Sequence, residues 1–223
     1  MKELAESDVA VLALPKGRIL VEVLPLLRRA GIVIEPAFSD DDARKLHFST
    51  NLDALSVVRV RSFDVATYVA FGAAQLGIVG SDVIAEFDYS EVYVPVDLGV
   101  SRCRLSVAEP AELARQDDPA RWSRIRVATK YPRTTERHFA LRGVHAECVA
   151  LSGALELAPS LGLCNRIVDL VATGATLRAN GLSEVERIAD VTARLIVNRT
   201  ALKLQAGIVG ELIERIGKVA HAH

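Results

Sequence analysis

Short apolar runs alternate with segments of helical periodicity along most of the chain. The first apolar run, residues 9–14, ends at Pro15-Lys16-Gly17, and the helical spacing of leucine and valine then continues over residues 19–30 until Gly31. The same criteria predict further strands at 55–60, 76–80, 91–98, 103–108, 126–128, 144–151 and 167–172, and helices at 64–74, 132–141, 154–161 and 201–219.

This alternation predicts an α/β protein with mostly parallel sheets, in which ligand sites lie at the carboxyl ends of strands. Two stretches are less regular. Residues 109–124 are the most polar and predict a surface excursion, and residues 185–197 are long and mixed. No Gly/Ser-rich linker interrupts the chain, so any domain boundary is crossed by ordered chain.

Composition narrows the classes of partner. Half of the 223 residues are hydrophobic, which is enough for one domain or two small ones, and the net charge of -1 gives no reason to expect nucleic acid or an acidic membrane as partner. The acidic, polar N-terminus is unlike a signal peptide, and no apolar run reaches membrane-spanning length. The separated cysteines, Cys103, Cys148 and Cys164, predict buried thiols in a reducing compartment. We therefore expect a cytoplasmic protein.

The most informative segment joins an apolar strand carrying Asp169 to the turn Ala172-Thr173-Gly174-Ala175-Thr176 at a helix start. Gly174 lets the backbone approach a ligand closely, and free N–H groups at a helix N-terminus attract phosphate. The two threonine hydroxyls can donate to phosphate oxygens, and the Asp169 carboxylate can accept two ribose hydroxyls. A lone Thr-Gly-x-Thr would more often be a simple helix cap. The strand and Asp169 before it favour a sugar-phosphate site.

Two further strand ends carry charge. In the first, Lys16 and Arg18 flank Gly17 where a helix begins, a pattern that suits an anionic ligand but also occurs in solvated turns. In the second, Arg61 precedes a helix and the apolar strand 76–80 that follows leads to Asp82. Asp82 is equally interpretable as the N-cap of a helix over 83–87.

Taken in order, these segments resemble the ATP phosphoribosyltransferase family, and the resemblance spans almost the whole chain. The turn also resembles the phosphoribosyl pyrophosphate loop of other phosphoribosyltransferases, but those usually have two adjacent acids where this chain has Val168-Asp169, which argues against the purine and orotate types. Four more stretches carry the resemblance: Cys103-Arg104-Leu105, Ala128-Thr129-Lys130-Tyr131-Pro132, Ser152-Gly153-Ala154-Leu155-Glu156 and Asn180-Gly181-Leu182.

The resemblance implies two α/β lobes similar to periplasmic binding proteins of type II, with a substrate cleft between them. The first lobe is expected to hold residues 1–100 plus 191–223, and the second to hold 101–190 with the phosphoribosyl pyrophosphate loop. For ATP the implied residues are Lys16, Arg18, Arg61 and Asp82. For phosphoribosyl pyrophosphate they are Asp169, Ala172, Thr173, Gly174, Ala175 and Thr176, and the catalytic groups are Lys16, Glu156 and Asp169.

The implied reaction joins ATP to 5-phosphoribosyl 1-pyrophosphate, giving N1-(5-phosphoribosyl)-ATP and pyrophosphate, the first step of histidine biosynthesis. Adenine N1 has a free lone pair and needs no general base, so catalysis is mostly orientation and charge stabilisation. Mg²⁺ is expected to be carried by substrate phosphates and water, with no dedicated protein ligand cage.

The length of the chain resembles the short form of the family, which lacks the C-terminal regulatory domain that binds histidine. Short members act with a separate regulatory subunit resembling histidyl-tRNA synthetase, so we expect a homodimer within a hetero-oligomer. Two alternatives remain open from the residues alone. One is a small-anion binding module of periplasmic-binding-protein type, and the other is a phosphoribosyltransferase for a different base.

Overall fold

The structure is a computed structural model that describes residues 9–39 and 44–221. The strands are β1 (Ala10–Pro15), β2 (His47–Ser49), β3 (Leu55–Val60), β4 (Leu76–Gly80), β5 (Val92–Asp97), β6 (Cys103–Pro110), β7 (Arg124–Thr129), β8 (His145–Ala150), β9 (Arg166–Val171), β10 (Leu182–Val191) and β11 (Ala193–Asn198). The helices are α1 (Arg18–Arg29), α2 (Ser62–Ala70), α3 (Ser81–Phe87), α4 (Ala111–Ala114), α5 (Pro132–Ala140), α6 (Leu157–Ser160), α7 (Ala175–Ala179), α8 (Arg199–Leu204) and α9 (Ala206–His221), with short 3-10 helices at Pro36–Ser39 and Pro119–Arg121.

The chain forms two compact units. Unit 1 comprises Met1–Ile84, Asp88–Ser101 and Thr192–His223, and unit 2 comprises Ala85–Phe87 and Arg102–Val191. The last residues of α3 group with unit 2 because the buried Glu86 carboxylate accepts hydrogen bonds from the backbone N–H groups of Arg133 and Thr134, both at 2.9 Å. A carboxylate in this position satisfies N–H groups that the first turn of α5 leaves without helical partners.

Unit 1 contains a six-stranded sheet in the order β2-β3-β1-β4-β11-β5. Strands β3, β1 and β4 are parallel, while β2, β11 and β5 pair antiparallel to their neighbours. Every residue of β4 is buried, which agrees with its unbroken apolar sequence, since a central strand covered on both faces needs no polar positions. The α/β class predicted from the alternation of elements is confirmed.

Helices cover unit 1 with side chains at the predicted spacing. Val23 and Leu27 of α1 and Leu212 and Ile216 of α9 join one apolar cluster with the inward residues of β1, β3 and β4. On α2, Val65 and Val69 approach Gly77 of β4 so closely that a Cβ atom added to Gly77 would lie 2.7 and 2.8 Å from their methyl carbons. The absence of a side chain at Gly77 therefore sets the distance between α2 and the sheet.

Unit 2 contains a five-stranded sheet in the order β10-β6-β9-β7-β8. Strands β9, β7 and β8 are parallel, and β6 and β10 extend the sheet antiparallel, with two register shifts between them. The long, mixed stretch at 185–197 is thus two strands, β10 of unit 2 and β11 of unit 1, separated by Thr192.

Some predicted elements are shorter or divided. Only Leu157–Ser160 of the helix predicted at 154–161 is helical, because Ala154 has a positive φ of 51°, outside the right-handed helical region. The terminal helix predicted at 201–219 begins earlier, where the Asn198 side chain accepts from the N–H of Ala201 at 2.9 Å, and it divides at Gln205. Strand β2 was not predicted because its three residues are too few to show periodicity.

The polar excursion at 109–124 is anchored at its base by charge. Arg166 of β9 pairs with the buried Glu109 at 3.0 Å and with Asp117, and its guanidinium lies 4.2 Å from the ring centroid of Trp122. Burial raises the pKa of Glu109, against the opposing effect of Arg166, and also lowers the pKa of Arg166. An irregular polar segment is therefore tied to the sheet by a partly buried ion pair and a cation–π contact.

The prediction of buried cysteines holds for Cys164 alone, since Cys103 and Cys148 are half-buried. Burial raises the pKa of the Cys148 thiol to about 12, with smaller contributions from Glu136 and Glu86, so this sulfur stays protonated at neutral pH. In the described part of the chain, no helix combines the length and the hydropathy needed to span a bilayer.

Substituting Gly77 with alanine is expected to destabilise the protein by about 1–3 kcal/mol, because the new methyl group overlaps Val65 and Val69. Urea unfolding followed by circular dichroism measures the change. The matched control is Gly210→Ala in α9, where an added Cβ meets no atom within 4 Å and the gain in helix propensity should stabilise by up to about 1 kcal/mol. Equal stability of the Gly77 variant and the wild type would contradict the close-packing explanation.

Candidate active site

Three predicted site residues of unit 1 follow three adjacent parallel strands. Lys16 follows β1, Arg61 follows β3, and Asp82 lies two residues beyond β4. Because β1 pairs with both β3 and β4, the carboxyl ends of the three strands lie at one edge of the sheet. The N–H of Lys16 donates to the carbonyl of Val60 at 3.1 Å, which places Lys16 beside the start of α2. Unit 1 therefore brings two exposed cations and a carboxylate to one sheet edge.

The turn after Lys16 depends on glycine. Gly17 has a φ of 90° and a ψ of -151°, a combination that is open only to glycine, while nothing lies within 4 Å of the position its Cβ would take. Helix α1 then begins at Arg18 and runs for 12 residues, so its first N–H groups lie next to the Lys16 side chain's attachment point. The N-terminus of a long helix beside a lysine side chain is suited to an anionic ligand.

Asp82 lies inside the first turn of α3, which begins at Ser81. The alternative in which Asp82 caps a helix over 83–87 is therefore wrong, since Gly80 occupies the N-cap position. Asp82 is 6% exposed, which makes it the most buried of the four predicted ATP residues.

Arg18 forms a hydrogen bond and an ion pair within unit 1. Its guanidinium donates to the carbonyl of Ser101 at 3.2 Å and lies 3.9 Å from the Glu22 carboxylate, which in turn accepts from the N–H of Ser101 at 2.7 Å. Ser101 has a positive φ of 56° and ends the second segment of unit 1. Arg18 and Glu22 thus hold the backbone at a strained position.

In unit 2 the turn after β9 has the predicted form. Val171 ends the strand, Gly174 has a φ of 73°, and α7 begins at Ala175. The Thr173 hydroxyl accepts from the N–H of Ala175 at 3.3 Å, so this threonine helps to shape the turn and retains its own hydrogen for donation. Helix α7 has five residues, which is too short for an appreciable dipole, so the turn's N–H and hydroxyl groups carry its capacity to bind an anion.

Asp169 lies on β9, opposite the buried Ser106 of β6. One of its carboxylate oxygens accepts from the N–H of Leu170 at 2.8 Å, which orients the half-buried side chain along the strand. Glu156 lies immediately before α6, between the buried Leu155 and Ala158. Those two residues pack with Ile167, Val171 and Leu177, so the segment carrying Glu156 is attached to the strand and helix on either side of the turn.

Two arginines that the sequence analysis did not assign also bind the turn. Arg104 of β6 donates to the carbonyl of Ala172, and Arg178 of α7 donates to the carbonyl of Thr173, each at 3.1 Å. Arg104 appears in the sequence only as part of the Cys103-Arg104-Leu105 stretch. The antiparallel pairing of β6 with β9, which brings it to the turn, leaves no local signal along the chain.

Comparison with known proteins decides the family. The family model described as HisG: ATP phosphoribosyltransferase matches residues 61–218, well over half of the chain. The chain belongs to the ATP phosphoribosyltransferase family. The match begins at Arg61 and includes Asp82, Glu156 and the whole turn from Ala172 to Thr176.

Individual relatives agree over nearly their full length. The ATP phosphoribosyltransferase of Paramagnetospirillum magneticum is 63% identical over 215 residues, which cover 96% of this chain and 98% of that protein. That of Rhodospirillum rubrum is 61% identical over 216 residues, covering 97% of this chain and 95% of that protein. These relatives share the span of the short form of the family, as the resemblance implied.

Among solved structures, a chain of the ATP phosphoribosyl transferase (HisG:HisZ) complex from Thermotoga maritima is similar, with a TM-score of 0.79 and 28% identity. The similarity covers 96% of this chain and 100% of that chain, and it confirms the predicted fold class. As an ATP phosphoribosyltransferase, this chain is a glycosyltransferase that catalyses the first step of histidine biosynthesis. The alternatives of an anion-binding module and of a transferase for another base are thereby set aside.

Proposed function

We propose that the turn Ala172–Thr176 and Asp169 bind 5-phosphoribosyl 1-pyrophosphate, and that Lys16, Arg18, Arg61 and Asp82 serve ATP. The observation that carries this proposal is the turn after β9, where a left-handed glycine, two threonine hydroxyls and a strand carboxylate lie within eight residues. The hydroxyls and N–H groups suit phosphate oxygens, and the Asp169 carboxylate suits the ribose hydroxyls.

The proposed chemistry is a direct displacement. The lone pair of adenine N1 forms a bond to the anomeric carbon of the ribose while the bond from that carbon to the pyrophosphate oxygen breaks, and pyrophosphate leaves with the electron pair. As the bond breaks, positive charge develops on the sugar and negative charge on the leaving group. Asp169 orients the ribose, Glu156 stabilises the developing positive charge, and Lys16 stabilises phosphate charge.

We further propose that Mg²⁺ accompanies the substrates. Magnesium dehydrates reluctantly and usually keeps several waters when it binds substrate phosphates. We propose that the ion is carried largely by those phosphates and by water, without a dedicated set of protein ligands. When bound, the ion would neutralise charge on the departing pyrophosphate.

Regulation is proposed to come from a second protein. The similar Thermotoga maritima chain belongs to a HisG:HisZ complex. We propose that this chain likewise works in the cytoplasm as a homodimer within a hetero-oligomer, and that its regulatory subunit resembles histidyl-tRNA synthetase. Histidine would then inhibit by binding that subunit and shifting the equilibrium between conformations of the assembly.

The Thr176→Val substitution tests the phosphate turn. It preserves the shape of the side chain but removes the hydroxyl, and we expect it to weaken phosphoribosyl pyrophosphate binding by about 1–3 kcal/mol, measured by titration calorimetry. Thr67→Val in unit 1 is the matched control and should leave this affinity unchanged. Unchanged affinity in Thr173→Val, Thr176→Val and Asp169→Asn alike would refute the assignment.

The Lys16→Met substitution tests the first strand end. Lys16 is exposed, so its removal should leave the thermal midpoint nearly unchanged, while turnover falls by about tenfold or more because stabilisation of phosphate charge is lost. Lys218→Met, which removes an exposed lysine paired with Glu214 on α9, is the control for a general effect of charge. A large loss of stability with intact turnover would identify Lys16 as structural instead.

The separate regulatory subunit is tested with histidine. We expect calorimetry to show no histidine binding to the isolated chain, and we expect a weak phosphoribosyl-ATP forming activity that rises when the synthetase-like subunit is added. Tight binding of histidine to the isolated chain, or full activity without a partner, would show that this mode of regulation is wrong even though the reaction is right.

A further inference from the structure

The turn that we assign to phosphoribosyl pyrophosphate is bound on one side by two guanidinium groups. Arg104 donates from Nη1 to the carbonyl of Ala172, and Arg178 donates from Nη1 to the carbonyl of Thr173, so consecutive peptide units each have their oxygen bound to an arginine. The two arginines come from β6 and α7, which flank the turn within unit 2.

Arg104 is itself held in place. Its Nε and Nη2 atoms both donate to the carboxylate of Glu184 on β10, and the buried Ser106 hydroxyl donates to the same carboxylate at 2.7 Å. The hydrogen bonds from Arg104 lower the pKa of Glu184, so the carboxylate is ionised at neutral pH. A planar guanidinium bound on one edge by a carboxylate has its remaining nitrogen in a defined position.

The pairing of strands explains why this nitrogen reaches the turn. Arg104 lies opposite Val171, the last residue of β9, in the antiparallel β6–β9 pair. Glu184 lies on the neighbouring strand β10, which pairs with the other edge of β6. The arrangement therefore depends on three adjacent strands of the sheet rather than on the turn itself.

Holding these two carbonyls also sets the direction of two N–H groups. A trans peptide unit is planar, and its C=O and N–H point in opposite directions. The carbonyl of Ala172 belongs to the same unit as the N–H of Thr173, and the carbonyl of Thr173 to the same unit as the N–H of Gly174. With both oxygens directed at the arginines, both N–H groups are directed away from them, toward the side on which a ligand's oxygens would be accepted.

We infer that Arg104 is a positioning residue for the phosphoribosyl pyrophosphate loop, held by Glu184 and acting through the carbonyl of Ala172. The inference rests on the proposed function of the turn. Since the Glu184 carboxylate neutralises the guanidinium, Arg104 contributes orientation of the peptide units rather than net positive charge. Arg178, on the helix α7 that follows the turn, fixes the next peptide unit in the same way by donating to the carbonyl of Thr173.

The experiment compares Arg104→Gln and Glu184→Gln with the wild type in steady-state kinetics, with both substrates varied. Arg104→Gln should raise the KM for phosphoribosyl pyrophosphate about tenfold and leave the KM for ATP unchanged. Glu184→Gln should act in the same direction, because the guanidinium loses its anchor. The matched control is Arg126→Gln. It removes an exposed arginine that is paired with Glu147 in the amino-terminal half of β7, and it should change neither KM.

The sign of the Glu184→Gln effect distinguishes orientation from charge. If Arg104 bound the substrate's phosphate directly, removing the neighbouring negative charge would lower the KM for phosphoribosyl pyrophosphate, and that result would overturn the inference. An equal rise in both KM values together with a large fall in the thermal midpoint would also overturn it, since the role would be structural.

Thr176→Val is measured in the same experiment, so that failure of the positioning role of Arg104 can be told apart from failure of the loop assignment. If Thr176→Val weakens phosphoribosyl pyrophosphate and Arg104→Gln does not, the positioning role of Arg104 is wrong while the loop assignment stands. If neither variant changes the KM for phosphoribosyl pyrophosphate, both the positioning role and the loop assignment are wrong.

Discussion

Parallel strand pairing within each sheet is the constraint on which the rest of the molecule depends. Within unit 1 the strands β3, β1 and β4 are parallel, so their carboxyl ends lie at one edge of that sheet. Within unit 2 the same holds for β9, β7 and β8 in their own sheet. The backbone leaves the sheet at that edge, and its polar groups need partners there. Lys16 and Arg61 in unit 1 directly follow such strands, and so does the turn Ala172–Thr176 in unit 2.

The antiparallel strands have a different role. In unit 2, β6 pairs with β9, and β10 pairs with the other edge of β6. Arg104 of β6 lies 68 residues before Ala172 of the turn, and beside the turn it binds Glu184 of β10, whose carboxylate also accepts from Ser106. An antiparallel neighbour presents residues from its own start next to the end of the parallel strand, as the pairing of Arg104 with Val171 shows. The parallel strands thus supply the turn, and the antiparallel strands supply its support.

Two arginines of unit 2 are compensated by carboxylates. Glu184 balances Arg104, and Glu109 with Asp117 balances Arg166, where burial would otherwise make an unpaired charge costly. The two clusters differ in what they hold: the first binds a carbonyl of the substrate turn, and the second ties down the polar excursion at 109–124. Because Glu184 neutralises Arg104, that arginine adds orientation rather than net positive charge beside the turn.

The sequence by itself determined the α/β class, the ordered motifs of the family and the position of the turn after Val171, because each depends on neighbours along the chain: strand periodicity, a glycine at positive φ, a carboxylate four residues before a threonine. The tertiary structure alone decided that residues 154–156 are not helical, that Asp82 lies within α3, and that Arg104 and Glu184 meet at Ala172. The meeting of Arg104 and Glu184 depends on strand order and register. Pairing between residues 80 positions apart leaves no local pattern in the sequence, because hydrogen bonding and packing across a sheet connect residues without regard to their separation along the chain.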